Sequence, residues 1–364
     1  MLAHVFTDLY GQGAGLLAYY DLDERQERLF HRLAAGVANF ELKIEVDSKP
    51  VTDEELKSFN DVFVILRRVH PEFFWVGERA SSGIVGGKAW VWPVYHIDAT
   101  EISATIENGK VIYPSADYVS RAKAIVDSRQ AAIREKIAGL PLHSGMSPYE
   151  RELAAHDWLY DHVAYDNESP NKNNIYGALI EGSANCQGIS RAFQHILGLS
   201  GTECLLLGGD FLSDGKAGQH MWNAVRLDGE WYQVDVTSNI TGGKRNGLPR
   251  YHTYFNRADE LMTRHTVDKA DAEPTITCRA TAYDFYRKSG LHIVSDEDFI
   301  DKMPALITKA RTNGDTMIEL EFSAHYADAD EIYRKMKLID AGYATGIMFL
   351  VGELKGIVVG IIEN

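Results

Sequence analysis

Three residues in the middle of the chain have side chains of the types that catalyse acyl transfer. They are Cys186, His220 and Asp235. A thiolate attacks a carbonyl carbon, an imidazole moves a proton to and from the leaving group, and a carboxylate fixes the tautomer of the imidazole. Together the three types can form and break a thioester, provided that the fold brings them together.

A turn signal between two strand-like segments predicts how the histidine and the aspartate are placed. Asp228-Gly229 favours a two-residue type I′ turn, in which Leu227 lies opposite Glu230. Each further pair along an uninterrupted hairpin has the same sum of residue numbers, so that His220 lies opposite Thr237. We therefore expect one hairpin to extend over residues 220–237.

Side-chain alternation then puts the histidine and the aspartate on one face of this hairpin. Trp222 lies opposite Asp235, and His220, two residues away, shares their face. Diagonal neighbours of this kind have Cα atoms roughly 7–8 Å apart, which lets a carboxylate reach an imidazole nitrogen. A turn with an odd number of residues would put the two side chains on opposite faces.

Cys186 is predicted to be the first residue of a helix that ends at Leu199. The partial positive charge of a helix N-terminus favours a thiolate over a thiol, and a nearby imidazolium adds to this effect. Gly182 and Gly188 let the chain turn sharply and let a substrate approach the backbone.

The other two cysteines carry no such pattern. Cys204 stands in the apolar run Cys-Leu-Leu-Leu and is predicted to be a core residue, and Cys278 is predicted to have a structural role. Three cysteines without a CxxC pair argue against a disulfide framework and against structural zinc. The remaining histidines form no HExxH motif or closely spaced pair, so the sequence predicts no metal and no cofactor.

The elements before this region mix helices and strands. Apolar residues at helical spacing predict a helix over Glu24–Phe40, and a second helix follows the capping pattern at Thr52–Glu55. From Phe73 to Ile112 the sequence favours strands, with a hairpin turn at Asn108-Gly109. A long helical segment then extends to about Gly139.

A new domain is predicted to begin after the punctuated stretch Gly139–Gly145. Ser147 is a candidate N-cap, Pro148 has the favoured first helical position, and Glu150 can complete a capping box. Further on, the glycines of Gly208–Gly218 predict a mobile loop beside the catalytic strand.

The last part of the chain alternates strand-like and helix-like segments, which suggests a small separate α+β unit. The predicted strands are Met317–Phe322, Gly346–Val351 and Gly356–Ile362, and the predicted helices are Asp296–Thr312 and Asp328–Ile339.

Two segments resemble the core of the bacterial transglutaminase-like superfamily. Ala178–Phe193 contains Asn-Cys-Gln-Gly, and Gln219–Thr237 contains His-Met-Trp-Asn and Trp-Tyr-Gln-Val-Asp-Val-Thr. The likeness extends to His70–Trp75 and to Tyr254–Thr266, and it covers about residues 20–290. It implies a papain-like fold, in which a helix that bears the cysteine packs on an antiparallel sheet that bears the histidine and the aspartate.

The resemblance also implies a role for each matching residue. Cys186 is the nucleophile, His220 the general base and Asp235 the acid that orients it, and the backbone N–H of Cys186 is an expected oxyanion donor. Tyr176 stands where the family often has an aromatic residue, so it is expected to line the site or assist the oxyanion. Trp222, on the face of His220, is a second candidate for contact with substrate.

The chain departs from the family pattern at three positions beside these residues. Ile189 and Ser190 stand where an aromatic residue and alanine are common, and Ser238 stands where tryptophan is common. None of the three is a member of the triad. They bear on the pocket wall, and thus on the substrate and the acyl acceptor.

Composition excludes several classes of partner. Of 364 residues, 52 are Asp or Glu and 37 are Lys or Arg, and the formal charge of −15 argues against nucleic acid or an anionic membrane as a partner. There is no apolar run of about 18 residues to span a membrane. The N-terminus lacks a signal peptide, so the protein is expected to be cytoplasmic, or secreted with its signal removed from this chain.

We therefore predict an α+β protein with a mixed α/β region over 1–144, a transglutaminase-like catalytic core over 145–280 and a small α+β unit over 281–364. The expected reaction is cysteine-dependent acyl transfer on a protein or peptide amide, with an amine or water as acceptor. The alternative is a catalytically silent binding module of the same fold. The substrate, the compartment and the oligomeric state are left open.

Overall fold

The computed structural model describes residues 15–47, 52–98, 100–107, 110–213, 215–245, 247–268, 272–315, 317–323, 347–350 and 357–361. These residues form an α+β protein with three four-stranded sheets, one each in the N-terminal, middle and C-terminal parts of the chain. None of the helices it describes has the length and apolar character needed to cross a membrane.

The helices are α1 (Glu24–Ala38), α2 (Asp53–Val69), α3 (Ala116–Ala138), α4 (Pro148–His162), α5 (Cys186–Leu199), α6 (Val236–Arg245), α7 (Phe285–Lys288) and α8 (Asp296–Asn313). The strands are β1 (Ile44–Asp47), β2 (Val76–Val85), β3 (Lys88–Ile97), β4 (Thr100–Ile102), β5 (Thr105–Glu107), β6 (Lys110–Ile112), β7 (Ala164–Tyr165), β8 (Ser183–Ala184), β9 (Cys204–Ser213), β10 (Lys216–Leu227), β11 (Glu230–Val234), β12 (His265–Val267), β13 (His292–Ile293), β14 (Met317–Phe322), β15 (Ile347–Leu350) and β16 (Ile357–Ile361).

The N-terminal part packs α1 and α2 beside the sheet β1-β3-β2, with β4 paired to β3. Helix α1 starts at the capping box of Asp23 and Gln26, and Leu29, Leu33 and Val37 form its buried stripe. The predicted helices are confirmed. Strands β5 and β6 pair as a hairpin, and the predicted turn residues 108 and 109 between them lie outside the described residues.

Helix α4 begins as the sequence predicts. The Ser147 hydroxyl accepts a hydrogen bond from the Glu150 N–H, and the Glu150 carboxylate accepts the Ser147 N–H at 2.7 Å, which completes a capping box behind Pro148.

The middle sheet has the order β11-β10-β9-β12, and helix α5 packs on β9 and β10. Polar side chains fix the helix on these strands. The Ser190 hydroxyl donates to the Met221 carbonyl at 2.9 Å, the Asn223 amide donates to the Ser190 carbonyl at 3.1 Å, and the Gln194 amide donates to the Cys204 carbonyl at 2.9 Å. Ser190, at a position where the chain departs from the family pattern, therefore connects α5 to the strand that carries His220.

The turn between β10 and β11 is of the predicted type. Asp228 and Gly229 have φ values of 50° and 87°, and Leu227 lies opposite Glu230. The register continues only as far as the pair of residues 223 and 234. The expectation that His220 faces Thr237 across the hairpin is wrong, because the chain turns into α6 after residue 235.

The predicted mobile loop over Gly208–Gly218 is also wrong. Most of these residues belong to β9 and β10, which pair without interruption and place His220 opposite Gly209. A Cβ atom at Gly209 would lie 2.0 Å from the carbonyl oxygen of Thr266. This glycine therefore makes room for β12 to approach β9, and the glycines here do not signal a loop.

The C-terminal sheet has the order β13-β14-β16-β15, and α8 covers one face of it. Ile318, Leu320 and Phe322 on β14 are buried with apolar residues of α8. Glu319 and Glu321 alternate with them and point the other way, toward the middle part of the chain. The predicted helix over residues 328–339 lies outside the described residues, and the domain boundaries stay a prediction.

Candidate active site

Cys186 is the first residue of α5, as predicted, and it is partly exposed. The Asn185 side chain caps the helix by accepting hydrogen bonds from the N–H groups of Gln187 and Gly188 at 3.1 and 3.3 Å. A Cβ atom at Gly188 would lie 2.3 Å from the Lys172 carbonyl oxygen. The preceding loop thus packs directly on the first turn of the helix and leaves the cysteine at its exposed end.

His220 lies on β10 between the thiol and a buried carboxylate. Its Nε2 is 2.8 Å from Oδ2 of Asp235, and Cys186 is within hydrogen-bonding reach of the same ring. Burial alone would lower the pKa of His220, but the Asp235 carboxylate and the Cys186 side chain raise it to about 10. The three predicted residues are therefore brought together, with the imidazole in the middle.

Asp235 is fully buried at the junction of β11 and α6. Its Oδ1 accepts the N–H of Ser238 at 2.9 Å, as the N-cap of a helix does, and its own N–H donates to the Tyr254 carbonyl at 2.9 Å. Burial alone would raise the pKa of Asp235, but the charge and hydrogen bond of His220, together with those of His265, hold it well below its usual range.

His265 is a neighbour of the site to which sequence reasoning gave no role. It begins β12, and its Nε2 lies 2.8 Å from the same Oδ2 of Asp235. Thirty residues separate it from Asp235, and only the pairing of β12 with β9 brings the two together. His265 lies in the segment Tyr254–Thr266, which resembles the transglutaminase-like superfamily, but no local sequence pattern links it to the Asp235 carboxylate.

Trp222 is not a substrate contact. Its side chain is fully buried, its indole N–H donates to Oε1 of Gln233 at 2.7 Å, and its ring stacks on His220 with centroids 5.9 Å apart. The sequence correctly puts Trp222 and His220 on one face, but that face is covered at residue 222. The indole therefore supports the imidazole from inside the protein.

Tyr176 is half-buried and directly precedes the short π-helix Gly177–Glu181. Its ring lies between the Arg129 guanidinium, 4.3 Å away, and the Phe74 ring, 6.1 Å away. Both partners come from the N-terminal part of the chain. The expected role of Tyr176 in lining the site or assisting an oxyanion stays a prediction.

Among the residues that the structure describes, two groups of side chains have nitrogen and oxygen atoms close enough to hold a metal ion. They are His156, Asp157 and His252, and His220, Asp235 and His265. In both groups the carboxylate oxygen already lies 2.8–3.0 Å from the histidine nitrogens. Ring N–H groups that donate to a carboxylate account for these distances, so neither arrangement requires an ion.

Comparison with known proteins bears on the same region. A family model for the transglutaminase-like superfamily matches residues 140–236. The kyphoscoliosis peptidase of Mus musculus is 28% identical over 121 residues, which are 30% of this chain and 18% of that protein. Its counterpart in Homo sapiens is 28% identical over 109 residues, which are 26% of this chain and 16% of that protein. The chain thus matches less than a fifth of the length of these relatives.

A crystal structure of a TGase is similar with 15% identity and a TM-score of 0.27, over 53% of this chain and 50% of that one. The family match covers the helix that begins with Cys186 and the hairpin that precedes Asp235. Over residues 140–236, this chain is similar to the transglutaminase-like superfamily.

Proposed function

We propose that this protein is a cysteine-dependent acyl-transfer enzyme that acts on protein or peptide amides through a thioester. Cys186 is the nucleophile, His220 the general acid and base, and Asp235 the group that orients the histidine. The observation that carries the proposal is the 2.8 Å contact between His220 Nε2 and the buried Asp235 Oδ2, with Cys186 in reach of the same imidazole.

The charge of the imidazole supports a nucleophilic cysteine. With a pKa of about 10, His220 is protonated at neutral pH. Since its Nε2 is directed at Asp235, Nδ1 is the nitrogen left for Cys186. An imidazolium at this position and the N-terminus of α5 both stabilise a negative charge on the sulfur.

The first half-reaction follows from these positions. The Cys186 sulfur attacks the amide carbonyl carbon, a C–S bond forms, and the carbonyl oxygen takes up the negative charge. The C–N bond then breaks, and the departing nitrogen receives the proton from His220 Nδ1. A thioester and a free amine, or ammonia from a glutamine amide, result.

The first turn of α5 offers a donor for the oxyanion. Asn185 accepts the N–H groups of Gln187, Gly188 and Ile189 through its side chain and its carbonyl. The N–H of Cys186 has no acceptor among the described residues. It is therefore available to the tetrahedral intermediate, as the resemblance to the transglutaminase-like superfamily leads us to expect.

The second half-reaction regenerates the thiolate. Neutral His220 takes a proton from an acceptor amine or from water, the acceptor attacks the thioester carbonyl, and the C–S bond breaks. An amine gives an isopeptide cross-link, whereas water gives deamidation or peptide hydrolysis. The kyphoscoliosis peptidases are named for hydrolysis, which makes water an acceptor that the test has to include.

The test uses the full chain with β-casein as a glutamine-rich protein, with and without a fluorescent primary amine. Mass spectrometry then scores amine incorporation, the mass increase of deamidation, and backbone cleavage. We expect at least one of the three products with the native chain and none with Cys186→Ala. If the native chain yields none of them from casein or from a mixed peptide library, the alternative of a silent binding module is favoured.

A further inference from the structure

A second histidine holds the same carboxylate as His220. The Nε2 atoms of His220 and His265 both lie 2.8 Å from Oδ2 of Asp235. The two rings are 5.8 Å apart at their centroids and are inclined by 52° to each other. Both side chains are at least nine-tenths buried, with exposed fractions of 10% and 1%.

We propose that His265 is a positioning residue that fixes the Asp235 carboxylate in the orientation in which it accepts the Nε2 proton of His220. This proposal rests on the function proposed above.

In the described part of the chain, three donors determine the orientation of the Asp235 carboxylate. The Ser238 N–H binds Oδ1, and the two imidazoles bind Oδ2. With Ser238 alone, the carboxylate could rotate about its bond to Cβ each time the His220 ring moved to deliver a proton. Because His265 binds the second oxygen, Asp235 stays in place while His220 changes partners.

The other nitrogen of His265 determines its tautomer. Nδ1 is buried and has no hydrogen-bond partner among the described residues. A proton there would be a buried donor without an acceptor, which is costly, whereas a lone pair there costs less. We therefore assign the proton of His265 to Nε2, the nitrogen that donates to Asp235.

Aromatic side chains surround this histidine. Its ring centroid lies 4.9 Å from those of Phe211 and Trp222 and 5.1 Å from that of Tyr254. These rings exclude water from the pair of hydrogen bonds, and hydrogen bonds to a charged group are stronger in such surroundings. Trp222 is shared, because it also stacks on His220.

Sharing the oxygen also limits how strongly Asp235 holds His220. An oxygen that accepts two N–H donors attracts each of them less than it would attract one. Among the described residues, the titratable groups that face His220 are Asp235, Cys186 and His265. The buried phenol of Tyr254 and its partner Arg264 lie beyond them. Without the His265 donor, Asp235 would raise the pKa of His220 further, and the upper limb of the activity profile would move to higher pH.

Two substitutions separate positioning from packing. His265→Gln keeps an N–H donor at the place of Nε2, whereas His265→Leu keeps bulk and removes the donor. We expect kcat to fall about tenfold in His265→Leu with little change in KM, and to stay near the native value in His265→Gln. We also measure the rate at which iodoacetamide alkylates Cys186 as a function of pH, in short pH jumps. The upper inflection of this pH profile should move up by about half a pH unit in the leucine variant only.

His70→Leu is the matched control. His70 is also buried, and its Nδ1 lies 2.7 Å from a carboxylate oxygen of Glu72. Its ring stacks on Phe30 and Phe73 in the N-terminal part of the chain, and none of these partners belongs to the proposed site. It should not move the alkylation inflection. An unchanged or lowered inflection in folded His265→Leu would overturn the proposal, as would an equal shift in the His70 control.

A measurement on the native chain covers the case in which the leucine variant does not fold. Nitrogen-15 spectra of the histidine rings, assigned by comparison with His265→Gln, should show His265 as the Nε2–H tautomer at neutral pH. The Nδ1–H tautomer would overturn the proposal. If native Cys186 reacts no faster than Cys204 and Cys278, the proposed function fails instead, and the tautomer still shows whether His265 donates to Asp235.

Discussion

His252 and Glu319 join the middle part of the chain to the C-terminal sheet. His252 Nδ1 lies 2.9 Å from Oε2 of Glu319, and its Nε2 lies 2.9 Å from Oδ1 of Asp157. Burial alone would lower the pKa of His252, but the two carboxylates raise it to about 9. The charged imidazole of His252 therefore connects its own segment to Asp157 on α4 and to Glu319 on β14.

This contact should make the stability of the protein depend on pH. Because the pKa of His252 is higher in the folded state, its protonation stabilises the folded protein. This contribution is complete below the unfolded pKa of about 6.5 and is lost as the pH rises through 9. Glu319→Gln should lower the free energy of unfolding by about 2–3 kcal/mol at pH 6 and by less at pH 9.5. Urea unfolding at a series of pH values measures the difference.

The exposed Glu297→Gln on α8 serves as the control and should change little at either pH. An effect of Glu319→Gln that is equally large at pH 6 and pH 9.5 would show that the charge of His252 does not contribute.

Glu152 should also make the protein less stable as the pH rises. It is fully buried, its Oε1 has no hydrogen-bond partner in the described part of the chain, and burial raises its pKa to about 8 against a smaller opposing effect of Asn256. In the unfolded chain the Glu152 carboxyl ionises near pH 4.3. The free energy of unfolding therefore decreases as the pH rises from about 4.3 to 8, because the folded state holds the proton more tightly. Glu152→Gln should leave stability at pH 4 nearly unchanged and raise it at pH 8 by on the order of a few kcal/mol.

Thermal unfolding at the two pH values tests this, with the exposed Glu135→Gln as control. A loss of stability in Glu152→Gln at pH 8 would contradict a protonated, buried carboxyl.

Alkylation should distinguish the three cysteines. Cys204 and Cys278 are 2% and 1% exposed, and burial raises the pKa of both thiols, whereas Cys186 is partly exposed beside His220. We expect iodoacetamide near pH 6 to modify Cys186 alone, followed by peptide mapping to locate the label. In urea all three should react. Equal, slow labelling of all three in the folded protein would argue against an activated Cys186.

Substitutions in the proposed triad should have graded effects on turnover. Cys186→Ala should abolish it and His220→Ala should nearly do so, because one removes the nucleophile and the other the proton carrier. Asp235→Asn should leave a residual activity lower by about four orders of magnitude. The casein assay measures each variant.

Cys204→Ala is the control for the loss of a thiol. Because Cys204 lies in the core, away from the proposed triad, this variant should retain activity. Full activity in Cys186→Ala would rule out the proposed mechanism.

Two glycines of the β9–β10 hairpin should differ in their response to alanine. A Cβ atom at Gly209 would lie 2.0 Å from the Thr266 carbonyl oxygen, whereas one at Gly218 would have nothing within 4 Å. Gly209→Ala should displace β12, which carries His265, at a cost of about 1–3 kcal/mol, and should lower turnover. Gly218→Ala should do neither. Unfolding curves and the casein assay compare them, and equal behaviour would contradict the close approach of β12.

Local features of the site follow from the sequence by itself. The Asn-Cys-Gln-Gly pattern indicates that Cys186 opens a helix, and Asp228-Gly229 determines a type I′ turn, because capping and turn geometry depend on residues within a few positions. From that turn, counting places His220 and Asp235 on one face. The approach of the imidazole to the carboxylate could thus be predicted.

The exit of the chain at Asp235 could not be predicted in this way. Strand pairing stops one residue earlier, since the Asp235 carboxylate caps α6 and its N–H pairs with the Tyr254 carbonyl. A hairpin rule contains neither contact. The burial of Trp222 was missed for the same reason, because the residues that cover it lie on other elements.

Only the tertiary structure decided which distant residues complete the site. His265 reaches Asp235 because β12 pairs with β9 at the position that Gly209 leaves open, and Glu319 and Glu321 turn inward because they meet His252 and Arg257. In the sequence these glutamates alternate with apolar residues as if they faced solvent. Helix caps and tight turns act over a few residues. By contrast, His265 and Glu319, the partners of Asp235 and His252, lie on strands far away in the chain.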